Sequence, residues 1–164
     1  MHYKIDKFQK NKMADTRRIA NEMEKIKTSK YIKIKKAERI DSNDLIWKIV
    51  FEGPEETPYE DGIFTLKLEF PNNYPERGPT AYFLTKMFHP NVRETDQKVC
   101  ISILNYWNIR TTVESIMIGI FEILLDPKVE GAYDNEAKKE LQANNDSYFN
   151  KVEEYTYEFA QKEY

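Results

Sequence analysis

The stretch LIWKIVFEGPEETPYEDGIFTLKLEF, residues 45–70, decides the fold class. In its second half Phe64, Leu66, Leu68 and Phe70 point one way and Thr65, Lys67 and Glu69 the other, the two-residue period of a half-buried strand. Its first half, LIWKIVFEG, is another apolar strand, and the turn-rich GPEETPYEDG joins the two. Upstream, YIKIKKAERI sets Ile32 and Ile34 among lysines, which suits a strand with one wet face. Downstream, PNNYPERGP breaks the chain and TAYFL forms a short fourth strand. Three short connections among four strands predict an antiparallel meander.

Helices flank this sheet. ADTRRIANEMEKIKTSK spaces Ile19, Met23 and Ile26 along one helical face, with Asp15 or Thr16 as its cap. TTVESIMIGIFEILLDP is a strongly apolar helix with a Thr cap and Glu114 two residues after Thr112; it is stopped by Pro127 and buried on most sides. Two amphipathic helices follow, around NEAKKELQ and DSYFNKVEEYTYEFAQKEY. Between Lys86 and Arg110 no period is visible, and irregular chain of that length inside a compact domain marks function. The prediction is one α+β domain: N-terminal helix, four-stranded antiparallel meander, irregular loop, central apolar helix and two C-terminal helices. Residues 1–11 read as a flexible extension and 12–164 as the folded domain.

With 164 residues, 40% hydrophobic and 32% charged, the chain reads as a soluble globular protein with a substantial core. No apolar run approaches the ~20 residues of a membrane span. The basic start lacks the apolar block of a secretory signal. A single cysteine excludes an internal disulfide and points to a reducing compartment, cytoplasmic or nuclear. The net charge of −3 hides a polarised chain: residues 1–40 hold 13 Lys/Arg against 5 Asp/Glu, and residues 130–164 hold 4 against 9. This reads either as solvated faces or as a basic helix that docks an acidic protein partner. Nucleic acid is not expected, because the whole chain is acidic and no nucleic-acid motif accompanies the lysines.

FHPNVRETDQKVCISIL, residues 88–104, carries the only cysteine and one of two histidines. One Cys and two His do not make a structural zinc site of the usual type, and no phosphate-cradling glycine loop exists, so neither a metal nor a nucleotide cofactor is expected. A cysteine protease would need His89 or His2 as base for Cys100. His89, set between Phe88 and Pro90, reads instead as a packed structural residue. On composition alone Cys100, between Val99 and Ile101, is a small buried hydrophobe; its place in the irregular stretch adds to the case for a reactive thiol without deciding between the two.

FHPNV, then VCISIL, a tryptophan seven residues after the cysteine, and an apolar helix ending in LLDP together resemble the ubiquitin-conjugating enzymes. RRIANEMEKI resembles that family's first helix, FEGPEETPYEDGIF its second and third strands, and FPNNYP the following loop; the resemblance spans residues 13–162. It implies that Cys100 accepts ubiquitin, or a relative of it, from an activating enzyme as a thioester and passes it to a substrate lysine, usually with a ligase. It makes Asn91 either the oxyanion donor or the group that orders the loop supplying one. His89 and Pro90 are then structural residues of the active-site loop.

The same resemblance implies an acid near the incoming lysine. Gly131 stands where relatives often have aspartate, with Glu130 as the candidate, the other reading being a solvated loop acid; Asp134 is nearby. Arg17 and Arg18 match basic positions that contact the activating enzyme and ligase, while Asn21 departs from a common lysine. On the ligase surface Glu76 replaces a frequent phenylalanine, and Asn108-Ile109-Arg110 replaces Ser-Pro-Ala, which predicts a specialised ligase. The segment from Asn91 to Cys100 is one residue longer than is common and that from Cys100 to Trp107 one shorter. GPEETPYEDGIF and FPNNYP favour ubiquitin as the modifier. Gly119, NKVEEY and the spaced apolar residues Met1, Tyr3, Ile5 and Phe8 resemble enzymes of neddylation, with SUMO a further alternative. A non-catalytic ubiquitin-binding variant of the fold is the rival from another class; such variants typically lack the cysteine.

Overall fold

A computed structural model describes residues 13–164, so the division near residue 11 lies outside the described residues. The elements are α1 (Thr16–Lys27), β1 (Ile34–Ile40), β2 (Asn43–Glu52), β3 (Ile63–Glu69), β4 (Thr80–Phe83), α2 (Ser102–Asn105), α3 (Val113–Leu125), α4 (Asn135–Ala143) and α5 (Asn145–Phe159). The four strands pair antiparallel in chain order, the meander expected from the sequence, in an α+β fold.

The core side of the sheet is built from cross-strand pairs. Trp47 faces Leu68, Ile49 faces Leu66 and Phe51 faces Phe64, and all six are buried. Phe121 of α3 closes on Phe51 with ring centroids 5.2 Å apart, and α1 packs on β1, β2 and α3. β2 starts at Asn43, two residues before the apolar pattern, because Asp41 and Ser42 both take positive φ, 52° and 57°. Such a two-residue turn matches the twist of its flanking strands and lets Ile40 pair with Asn43.

Helix ends follow local chemistry. The Asp15 carboxylate accepts from Arg18 N and starts α1, and Thr112 forms a capping box with Ser115 at the start of α3. Glu114 instead accepts from the Ser29 hydroxyl at 2.6 Å, tying α3 to the end of α1. α5 stops at Phe159, short of the amphipathic pattern, because residues 160–164 run across the outer face of the sheet. Ile63 N donates to Ala160 O at 2.7 Å, Tyr164 N donates to the Thr65 hydroxyl, and Glu163 pairs with Lys36 and Lys48. Thr65, expected on a wet face, is therefore buried.

A buried carboxylate joins α1 to α3. Glu22, 4% exposed, accepts from Val113 N at 3.0 Å, one of the N–H groups that a helix start leaves without an internal partner. Arg18 lies 3.6 Å from the same carboxylate and donates to the carbonyls of Ile109 and Thr111, so the loop before α3 is held against α1. Replacing Glu22 with Ala leaves the buried Val113 N–H without its acceptor and the Arg18 guanidinium without its carboxylate. We expect a loss of about 2–3 kcal/mol in urea unfolding, and a smaller loss for Glu22→Gln, which keeps an acceptor oxygen.

Candidate active site

His89, Pro90 and Asn91 hold the chain that follows α3. The His89 ring is fully buried; its Nδ1 accepts from Asn91 N at 2.9 Å, so the proton sits on Nε2, which donates to Ile123 O at 2.8 Å. That carbonyl belongs to the last turn of α3, where helix carbonyls lack internal partners. The Pro90 carbonyl accepts from Tyr133 N and Asp134 N at 2.8 and 3.0 Å. Asn91, 3% exposed, grips Lys128 from both sides: Nδ2 donates to Lys128 O and Oδ1 accepts from Lys128 N, each at 3.0 Å.

Cys100 faces this lock. Val92 and Val99 form a β-bridge, Cys100 N donates to Asn91 O at 2.8 Å, and between them residues 93–98 turn back on themselves with Gln97 at φ 58°. Arg93 clasps Asp96 with two bonds of 2.7 Å, and the guanidinium holds the Asp96 carboxyl down at about 2. The Arg93 guanidinium lies 5.4 Å from the centre of the Tyr133 ring. The stretch expected to be irregular contains the single-turn helix α2, which brings Asn105 back so that its Nδ2 donates to Cys100 Sγ at 3.3 Å.

The thiol is free and 8% exposed. Tyr133 stands on the loop after α3 and lines the same groove as Asn105; burial raises its phenol above the usual range, and the neighbouring Cys100 adds to the shift. No Cys–His pair forms with His89, because both of its ring nitrogens are bound to backbone. His2 lies outside the described residues.

The remaining candidates separate into groups. Glu130 is exposed on the loop that Asn91 holds, with no hydrogen bond or ion pair among the described residues. Gly131 beside it has φ 67°, and Asp134 is buried as the N-cap of α4, accepting from Glu136 N and Ala137 N. Arg17 and Ile109, 56% exposed, line one groove with Asn21 and Lys25. Arg18 lies there too, its guanidinium committed inward. Glu76 lines a different groove of about 410 Å³, together with Gly78, Lys98, Asn105, Trp107 and Tyr133. Trp107 is fixed there by its Nε1 bond to Pro75 O at 2.9 Å, and a Cβ on Gly78 would meet its ring at 2.5 Å.

The residues missed from the sequence are Asn105 and Tyr133. Asn105 lies one helical turn and one residue beyond Cys100, a signal that appears only if the chain coils immediately after the cysteine. Tyr133 lies 33 positions beyond Cys100 in the chain, and the Pro90 carbonyl brings it in.

The site is a single thiol fixed opposite an asparagine on an α+β sheet scaffold. The family model for ubiquitin-conjugating enzymes matches residues 18–156, and the chain belongs to that transferase family. It is similar to ubiquitin conjugating enzyme E2 B of Dictyostelium discoideum, 28% identical over 124 residues that cover 76% of this chain and 84% of that protein. It is 38% identical over 115 residues to ubiquitin-conjugating enzyme E2 1 of Caenorhabditis elegans, covering 70% of this chain and 59% of the other. Among solved structures, a chain of Plasmodium yoelii described as a ubiquitin conjugating enzyme superposes with a TM-score of 0.81 at 31% identity, covering 89% of this chain and 95% of that one. The E2 domain of a Toxoplasma gondii ubiquitin conjugating enzyme gives 0.79 at 28% identity, covering 88% and 97%.

Burial pushes the His89 imidazole from 6.5 down to about 4, against the opposing effect of its bond to Ile123 O. The unfolded chain thus takes up this proton at a higher pH than the folded one. The stability from keeping His89 neutral is complete above about 6.5, falls as pH drops, and levels off below about 4, a total of roughly 3 kcal/mol. Urea unfolding of His89→Gln, which keeps the donor to Ile123, is expected to show lower stability at pH 7.5 and a flatter dependence between pH 6.5 and 4. A parallel decline in both proteins would assign the acid sensitivity to other groups.

Proposed function

We propose that the chain accepts ubiquitin from an activating enzyme as a thioester on Cys100 and transfers it to substrate lysines with the help of a ligase. The observation that carries this reading is the placement of Cys100: a thiol with an amide donor at its sulfur, held opposite Asn91 and without a histidine base. A thioester is reactive enough that the attacking amine needs positioning and deprotonation more than activation of the sulfur. Membership of the family and the named ubiquitin conjugating relatives support ubiquitin as the modifier. A ubiquitin-like modifier, that of neddylation first and SUMO next, is the second reading, favoured by Gly119 in α3.

In the transfer, the lysine nitrogen attacks the thioester carbonyl and charge grows on its oxygen. Asn91 serves this step by ordering the loop around Lys128, and its second Nδ2 hydrogen is the donor left for the oxyanion. Glu130, exposed on that loop, is the acid that faces an arriving ammonium. Arg17 and Ile109 form the docking edge for the activating enzyme and ligase, with Arg18 positioning the Ile109 loop from behind. Glu76, a carboxylate at an anchor position of many relatives, selects a specialised ligase. Cytoplasm or nucleus is the compartment this chemistry requires. No helix among the described residues is long and apolar enough to cross a membrane.

The test is a charging reaction with ATP, magnesium, ubiquitin and its activating enzyme, read on non-reducing and reducing gels. A thiol-sensitive adduct carrying one ubiquitin, absent in Cys100→Ala, is the expected result. No adduct with ubiquitin but one with the neddylation modifier and its own activating enzyme would transfer the assignment to that modifier. Failure with every modifier, with folded protein, would leave the non-catalytic binding reading in its place.

Asn91→Ala removes both bonds to Lys128 while leaving the thiol in place. Loading of Cys100 is expected to persist, whereas discharge to free lysine falls about 100-fold. Backbone amides of residues 126–134 are expected to exchange faster, measured by hydrogen exchange.

A further inference from the structure

We infer that Asn105 and Tyr133 are catalytic residues, a pair of neutral donors that hold the Cys100 sulfur as a thiolate when the carbonyl group leaves it. The inference rests on the thioester reading above and adds the groups that serve the leaving atom.

Two elements distant in sequence converge on one sulfur. Asn105 Nδ2 is 3.3 Å from Sγ, and its backbone is fixed by Asn105 N donating to Ile101 O at 3.1 Å. Tyr133 lines the same groove as Asn105, with its backbone tied to Pro90 O at 2.8 Å and its ring against Arg93, and its phenol is near enough to Cys100 for the sulfur to contribute to its raised pKa. Arg93 is held in turn by the two-bond contact with Asp96, so the ring has a fixed support. Both side chains line the groove beside the cysteine, along with Lys98, Trp107 and Glu76, and the sulfur is almost enclosed.

The reaction explains why donors of this kind suit the site. The lysine nitrogen forms a bond to the carbonyl carbon, the carbon–sulfur bond breaks, and its electron pair passes to Sγ. The proton of the attacking amine goes to solvent or to a nearby carboxylate. Negative charge therefore appears on sulfur in a nearly closed place, where hydrogen bonds to a charged acceptor are about twice as strong as neutral ones. An ammonium at that distance would stabilise the charge as well, but once deprotonated it would take the acyl group itself. An amide and a phenol donate without competing for the acyl group. The same two donors favour the thiolate that attacks during loading.

The test has two arms. In the first, Cys100 of the free protein is alkylated with iodoacetamide at pH 7.5, which needs no modifier. Tyr133→Phe keeps the ring on Arg93 and removes only the donor; Asn105→Ala removes the other. Each is expected to react about threefold more slowly, although the sulfur is no less open, and the double variant more slowly still. Asn105→Asp, of equal shape but an acceptor only, is expected to be slower than Asn105→Ala, an order that a purely structural role does not produce. In the second arm, pre-charged protein is discharged to free lysine at rising concentrations. The maximal rate is expected to fall about tenfold per variant with the half-saturating lysine concentration unchanged.

Equal or faster alkylation in both single variants, with unchanged discharge, would overturn the proposal and leave the two side chains as shields. If the unaltered protein never charges, the thioester reading fails, and the alkylation arm still decides whether these groups support the thiolate.

Discussion

The hydrogen bonds of His89, Pro90 and Asn91 to the end of α3 and the loop beyond it are the constraint on which the rest of the site depends. Backbone groups at Ile123, Lys128, Tyr133 and Asp134 would otherwise need other partners, and the fold supplies them from three consecutive residues. The imidazole bridges Asn91 N and Ile123 O and stays neutral because it is buried. A histidine so used cannot be a base. The lock converts a long loop, which a chain of this size would leave to solvent, into a wall for the cysteine.

That wall has a chemical consequence for Cys100. The sulfur has little access to water, so its partners decide how readily it bears charge. Nearest are an amide from the turn that follows the cysteine, which donates to the sulfur, and a phenol from beyond α3 that lines the same groove. Neither is basic and neither is an acyl acceptor of consequence, which suits the thioester role proposed for Cys100.

The bracket of Glu22 and Arg18 does for the groove of Arg17 and Ile109 what the lock does for the thiol. A guanidinium that donates to Ile109 O and Thr111 O cannot also be spread over a partner. Of the two adjacent arginines, Arg17 is therefore the one open to solvent, while Arg18 sets where Ile109 sits. Glu76 lies in the groove lined by Asn105, Trp107 and Tyr133 rather than in the groove of Arg17 and Ile109, so residues grouped by resemblance line two separate grooves.

The amino-acid sequence by itself determined the meander, because Phe64, Leu66 and Leu68 alternate with a two-residue period and only one face of such a strand can be dry. It determined the helices as well, through the spacing of Ile19, Met23 and Ile26 and the apolar run ended by Pro127. The motifs around Cys100 and Asn91 singled out both residues, and the fold places them side by side through the bond from Cys100 N to Asn91 O. Local pattern could not show that Thr65 is buried, since its cover is the last residues of the chain, nor that β2 begins at Asn43, since that depends on two left-handed residues. It did not separate Arg18 from Arg17, which are neighbours of the same charge. Asn105 and Tyr133 were invisible for the same reason: each is an ordinary polar residue until α2 coils and the Pro90 carbonyl draws the later loop in. Periodicity and motifs act over a few residues, whereas partners of a sulfur are chosen by whichever segments the backbone hydrogen bonds bring together.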